Sequence, residues 1–348
     1  MVKLRSITRF PIYYQGMLSF EKSKELPFPL EEEKVYFYGY GRYALYQGML
    51  SLGLEKGDHI LFPNYICNVA LAPAHYLGLH VDYYEIDELL KPKWNKIDKR
   101  IADKSKAFLI VNYFGFPNDL VKAREFCDKH EQFLIEDNAH GFLSHLDRTP
   151  LGTFGDISVF SFHKTVPIFN GSAMVINKHS ISMVGDGENN LISEKRTVRF
   201  IVKTLILSIR NCLSFLNVNK VADKKIDLNP NIEKEQEFDL QSYFISISNY
   251  SKWFLDHLNI NSVASRRRKR YFKWLQYFQE QKEYKVRIIF PELKPGIVPY
   301  VFPVITNQSE ILLDKMRQCG VECYPWPFLP KDSREDYLSG KVVCFPLS

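Results

Sequence analysis

The sequence predicts an α/β fold: a mostly parallel sheet with helices on its faces, followed by a smaller α/β domain. Three observations carry this. From about Val35 to Lys178, short apolar runs alternate with helical patterns. The runs KAFLIVNYFG and QFLIEDNAH are apolar almost throughout, as strands covered on both faces are. After a looser stretch the alternation resumes, with fewer elements. The expected division is 1–237 for the large domain, with its core at about 35–180, and 238–348 for the small one.

Each element follows from its pattern. GRYALYQGMLSLGL places Leu45, Met49 and Leu52 on one helical face. HILFPN is a short strand stopped by Pro63, NVALAPAHYLGL an apolar helix, and VDYYEID a strand. KAFLIVNYFG ends at Gly115 and Pro117, LVKAREFCDKH is a helix, and QFLIEDNAH is a strand whose end turns acidic. ISVFSF and SAMVIN complete the series, and DGENN and KKIDLNPNIEKEQE read as loops. Beyond them come helices at DLQSYFISISNYSKWFLDHL, RRRKRYFKWLQYF and SEILLDKMRQCG, with strands at VPYVFPVI and KVVCFPL.

Composition bounds the function. With 348 residues, 45% hydrophobic and 14% aromatic, the chain can bury a sizeable core. A net charge of +6 suits phosphate-bearing ligands without implying nucleic acid. The six cysteines form no paired framework, and Cys319 and Cys323 have no second pair to complete a zinc site, so no metal is expected. The unpaired cysteines read as reduced thiols of a cytoplasmic protein, and MVKLRSITRFPIYY lacks an apolar run of signal-peptide length. FIVKTLILSIRNCLSFLNV is interrupted by Lys203, Arg210 and Asn211, so no transmembrane segment is expected. Basic residues at its start allow a peripheral membrane contact.

In doubly wound sheets ligands bind at the carboxyl ends of the strands, and four such ends are chemically suggestive. IEDNAH puts Glu136 and Asp137 on a buried strand, where a carboxylate needs a cation or strong donors; a helix cap is the alternative. SFHKT would desolvate Lys164, which favours a nucleophilic amine, although single lysines usually lie at the surface. YGYGRYAL offers glycines and Arg42 at a helix start, suited to a phosphate or simply to a turn. FPNYICN offers Tyr65, Cys67 and Asn68. Together these supply the parts that pyridoxal 5'-phosphate needs: an anion site, a lysine and an acid for the ring nitrogen.

The ordered set GRYAL, FPNYICNVALAPAHYLG, IEDNAHG, LGTFGDISVFSFHKT and NGSAMVIN resembles the DegT/DnrJ/EryC1/StrS sugar aminotransferases, which are fold-type-I pyridoxal-phosphate enzymes. The resemblance runs from about Val35 to Lys178 and, more weakly, through GVECYPWPFLP and VVCFPL. It implies that Asp137 pairs with the pyridine nitrogen and that His140 lies by the phenolic oxygen. Gly41, Arg42 and Ser161 would take the phosphate, and Lys164 would bond the cofactor and move the substrate proton. It also implies a nucleotide-sugar substrate, an amino-acid donor such as glutamate, a setting in surface polysaccharide or glycoside synthesis, and a homodimer.

Three departures are visible. Only Phe162 and His163 separate Ser161 from Lys164, so the register leaves a second reading, a sugar dehydratase using His163. Cys67 occupies the position of the aromatic that stacks on the cofactor ring, with Tyr65 or Tyr113 as possible substitutes. The Asn-Tyr-Arg stretch that reaches the partner subunit is missing before DLQSYF, and the chain stops at CFPLS, short of a further helix. These leave a non-catalytic, regulatory or scaffolding relative as a third reading.

Overall fold

The structure, a computed structural model, describes residues 7–23, 25–184, 194–213, 245–281, 284–326 and 338–348. Its strands are β1 (Val35–Tyr38), β2 (His59–Pro63), β3 (His80–Tyr84), β4 (Ser105–Val111), β5 (Phe133–Asn138), the hairpin β6 (His145–Leu146) and β7 (Thr149–Pro150), β8 (Ile157–Ser161) and β9 (Ser172–Ile176). The helices among them are α1 (Gly41–Ser51), α2 (Asn68–Tyr76), α3 (Lys99–Lys104) and α4 (Leu120–Lys129). Seven strands form one sheet in the order β1-β9-β8-β5-β4-β2-β3. The pairs β2–β3, β2–β4, β4–β5 and β5–β8 are parallel, and β9 runs antiparallel to both β8 and β1.

The apolar runs explain this layering. Residues Ala107 to Val111 of β4 and all of β8 and β9 are buried, because helices cover the sheet and leave no solvated side. Since β4, β5 and β8 are neighbours and parallel, their carboxyl ends converge, and the polar residues that close them meet.

The later elements are α5 (Glu194–Leu213), α6 (Asn249–Asp256), α7 (Ile260–Glu280), β10 (Arg287–Ile288), β11 (Val301–Ile305), α8 (Ser309–Gln318), β12 (Tyr324–Pro325) and β13 (Val342–Pro346). The four strands form an antiparallel sheet, β10-β11-β13-β12. Helix α7 lays Tyr271 on Phe302 (4.8 Å) and both Trp274 and Phe278 on Phe345 (4.9 Å each). Each such fully buried ring is worth roughly 1.5–3 kcal/mol. Phe116, which follows β4, stacks on Phe290 at 4.0 Å, so one apolar core runs through both sheets.

One helix is shorter than its pattern predicts. The helix expected over DLQSYFISISNYSKWFLDHL is confined, among described residues, to α6. The Ser248 hydroxyl accepts from the Ser251 N–H at 3.1 Å and caps it there. Ile245, just before, lends its carbonyl to the Gly39 N–H at 2.7 Å. The loops expected at DGENN and KKIDLNPNIEKEQE lie outside the described residues. Among the described residues no helix is long and apolar enough to cross a membrane.

Candidate active site

At the converging strand ends lies a cavity of about 360 Å³. The start of α1 contributes Gly41 and Arg42, the residue before α2 contributes Cys67, and the end of β5 contributes Asp137 and His140. The end of β8 and the turn after it contribute Ser161, His163 and Lys164. The structure therefore brings Gly41, Arg42, Cys67, Asp137, His140, Ser161 and Lys164 to one cavity, whereas Tyr65, Asn68 and Tyr113 do not line it.

The two adjacent carboxylates of β5 separate by strand periodicity. Asp137 faces the cavity, whereas Glu136 is fully buried on the other side. Glu136 accepts from Asn112 Nδ2 (2.9 Å) and from the backbone N–H groups of Gly152 (2.7 Å), Phe154 (3.0 Å) and Gly155 (3.2 Å). Burial pushes its carboxyl up, and these donors oppose the rise. It is the anchor of the LGTFGD turn. Asp137 takes the Ala139 N–H at 2.8 Å. Burial raises its carboxyl also, against the nearby charge of Lys164.

His140 is oriented from both sides. Its Nδ1 accepts the Phe114 N–H at 3.2 Å, and its Nε2 lies 3.3 Å from Lys164 Nζ. Phe114 holds a positive φ of 58° immediately after β4, and this left-handed turn aims its N–H at the ring. Burial first, then the charge of Lys164, keeps the ring neutral by holding its pKa well below the usual value. Tyr300 stacks on it at 4.7 Å, and Trp326 meets it edge-on at 5.7 Å.

The opposite end of the cavity is built for an anion. Helix α1 has no side-chain cap at its start, leaving first-turn N–H groups for a ligand. A Cβ on Gly41 would lie 2.6 Å from Ser161 Oγ, so only glycine lets the hydroxyl approach the helix start. Arg42 has a buried Nε without a hydrogen-bond partner among the described residues. An orphaned guanidinium nitrogen, a hydroxyl and free N–H groups form a donor set that fits a phosphate. With Asp137, His140 and Lys164 in the same cavity, the residues present fit pyridoxal phosphate.

Comparison with known proteins agrees with this geometry. Residues 35–182 match the DegT/DnrJ/EryC1/StrS aminotransferase family. The resemblance read from the sequence motifs is borne out over that segment. The GDP-perosamine synthase of Escherichia coli O157:H7 is 31% identical over 144 residues, which cover 40% of this chain and 40% of that one. The GDP-4-keto-6-deoxy-D-mannose 3-dehydratase of Yersinia pseudotuberculosis is 26% identical over 130 residues, 36% of this chain and 33% of that one. The matched segment thus spans about two-fifths or less of these curated relatives. Among solved structures, Helicobacter pylori PseC, an aminotransferase involved in the biosynthesis of pseudoaminic acid, superposes with a TM-score of 0.62 at 14% identity, covering 98% of this chain and 94% of that one. The E. coli GDP-4-keto-6-deoxy-D-mannose-3-dehydratase with bound hydrated pyridoxal phosphate gives 0.60 at 19%, covering 90% and 82%. The fold is therefore that of these aminotransferase and dehydratase structures, with a mostly parallel large sheet and an added smaller sheet.

Two further arginines build the site from outside the sequence motifs. Arg267, inside the RRRKR run, is only 5% exposed. It donates to the carbonyls of Pro299 (3.1 Å), Tyr300 (2.9 Å), Lys164 (3.3 Å) and Thr165 (2.7 Å). Burial among these carbonyls pulls its pKa down to about 10, and it stays charged at neutral pH. Arg9 reaches the cavity from the N-terminal segment, its guanidinium 4.0 Å from the Tyr324 ring. The aromatic wall is also differently made than expected. Tyr65 and Tyr113 do not line the cavity. They are buried behind Trp326, with Tyr113 Oη donating to the Tyr65 carbonyl (2.6 Å) and Tyr65 Oη to that of Trp326 (2.5 Å). Trp326 supplies the ring that lines the cavity, and Cys67 lines it too, as a thiol whose pKa burial pushes up.

Proposed function

We propose that this protein is a pyridoxal-phosphate-dependent aminotransferase that moves an amino group from an amino acid, glutamate in the simplest case, to a nucleotide-linked keto sugar. The observation that carries this is the placement of Lys164 Nζ against His140 Nε2, in one cavity with Asp137 and the Gly41–Arg42–Ser161 cradle. Arg42, Ser161 and the α1 start would hold the phosphate, Asp137 the ring nitrogen, His140 the phenolic oxygen and Lys164 the carbonyl carbon. When bound, the group supplies an electron sink for a carbanion next to the amine. The remaining work belongs to the chain. Lys164 takes and returns the proton of the reacting carbon, a role typically worth 10²–10⁴-fold. His140, held neutral, keeps its Nε2 against Nζ. Arg267 fixes the carbonyls at Lys164 and Thr165, and so positions the turn. Arg9 offers a cation at the cavity wall for the anionic substrate. A cytoplasmic setting and a homodimer accompany this reading.

The relatives include dehydratases, and His163 also lines the cavity, so dehydration is the second reading. What favours transfer is that Lys164, and not His163, bonds to His140. Incubation with glutamate and a nucleotide keto sugar, followed by mass analysis, tests it. Amination with matching release of 2-oxoglutarate supports transfer. Loss of a hydroxyl from the sugar, or no reaction and no cofactor uptake, would count for dehydration or a non-catalytic role respectively.

A further inference from the structure

Helix α5 has two working faces. One is anchored to the body of the protein. Thr197 and Thr204 are buried, Phe200 lines the cavity and meets Phe169 edge-on at 5.7 Å, and Ser208 Oγ accepts the Tyr13 N–H at 3.0 Å. The opposite face carries Val198, Val202, Leu205, Ile206 and Ile209, each 45–57% exposed. At about 100° per residue these five fall within an arc of roughly 100°, a continuous apolar stripe. Because the inner face is already packed, the stripe is not a seam left over from folding.

Charge says what covers it. The twenty residues of α5 hold five Lys or Arg and one Glu, a net +4 within a chain of net +6. Arg199 and Lys203 flank the stripe on one side, four residues apart. A second protein would need an apolar groove rimmed with acid to match this pattern. A bilayer with anionic headgroups matches it directly, taking the aliphatic stripe below the headgroups while the long basic side chains stay at their level. No helix among the described residues is fit to cross a membrane, so the contact would lie in the plane.

We propose that α5 docks this protein on an anionic membrane surface, through Val198, Val202, Leu205, Ile206 and Ile209, with Arg199 and Lys203 on the phosphates. Since Phe200 projects from the inner face of the same helix into the cavity wall, the docked surface sits one helix diameter from the site. This proposal stands independently of the reaction assigned above.

The test is flotation of the full-length protein with large vesicles, either phosphatidylcholine alone or an equal mixture of phosphatidylcholine and phosphatidylglycerol. Wild-type protein is expected to float with the mixed vesicles, poorly with phosphatidylcholine, and less as salt is raised. R199Q and K203Q should each weaken binding about fivefold. The double variant V202D/I206D should abolish it, with an unchanged thermal melt because both positions are exposed. V121D, which alters an equally exposed apolar residue on α4, should float like wild type. Absence of flotation by the wild-type protein overturns the proposal, as does flotation indifferent to V202D/I206D. If the wild type scatters light as a dimer, fails to float, and V202D/I206D makes it monomeric, the stripe belongs to a second copy of this chain.

Discussion

The Arg267 guanidinium donates to the carbonyl of Lys164 at 3.3 Å and to that of Thr165 at 2.7 Å, so a residue of α7 holds the turn that carries the candidate catalytic amine. A buried cation with four carbonyl acceptors is costly to dismantle. Arg267→Met is expected to destabilise the protein by about 3 kcal/mol, and Arg267→Lys by less. Both should slow the appearance of the visible cofactor band when pyridoxal phosphate is added to refolded, concentration-matched protein. A purely structural role would lower the melting temperature and leave that rate unchanged.

Asp137 and Glu136 should behave oppositely although they are neighbours. Glu136→Gln sets an amide NH₂ among N–H donors and should cost about 2 kcal/mol in a urea melt. Both carboxyls are raised by burial, and the difference lies in their donors: four N–H groups meet Glu136, whereas Asp137 takes one backbone N–H, that of Ala139. The Asp137 carboxyl is raised in the fold, so ionisation at neutral pH works against folding, and Asp137→Asn should be at least as stable as wild type at pH 7. Its transfer rate should nevertheless fall about a hundredfold or more.

Gly41→Ala tests the anion cradle. A methyl group 2.6 Å from Ser161 Oγ must displace the hydroxyl or the helix start. Affinity for pyridoxal phosphate should fall about tenfold or more, while affinity for pyridoxal, which lacks the phosphate, should change little. Ser161→Ala added to Gly41→Ala should recover melting temperature without recovering phosphate affinity.

His163 predicts a pH dependence of stability. Burial, then the charge of Lys164, lowers its pKa from 6.5 to about 4. Between those values the unfolded chain binds a proton that the folded chain refuses, so stability is lost as pH falls through 6.5 towards 4. The loss is up to about 3 kcal/mol from this residue. His140 shifts in the same direction and adds to it. Urea melts at pH 7 and pH 4.5 should show the drop, and His163→Gln should remove part of it.

Much of the site could be read from the chain because its parts sit at strand ends, and strand ends are marked by apolar runs turning polar. Asp137 and Ser161 lie at the ends of β5 and β8, and His140 and Lys164 follow within a few residues. Arg267 was harder, since neighbours in RRRKR point about 100° apart and only the phase of the helix decides which faces inward. The signal existed: Val263, Arg267, Tyr271, Trp274 and Phe278 are the buried positions of α7 and share one face. Arg9 carries no such signal, because it reaches the cavity from the start of the described chain, outside any strand or helix. The shortened α6 turns on a single hydroxyl at Ser248, which outcompeted helical continuation.

The most direct measurement is covalent mapping. Purified protein is loaded with pyridoxal phosphate, reduced with borohydride, digested and analysed by peptide mass. The expected result is one modified peptide, with the cofactor on Lys164, and none in Lys164→Ala. A reduced adduct on another lysine, or no adduct at saturating cofactor, would contradict the account.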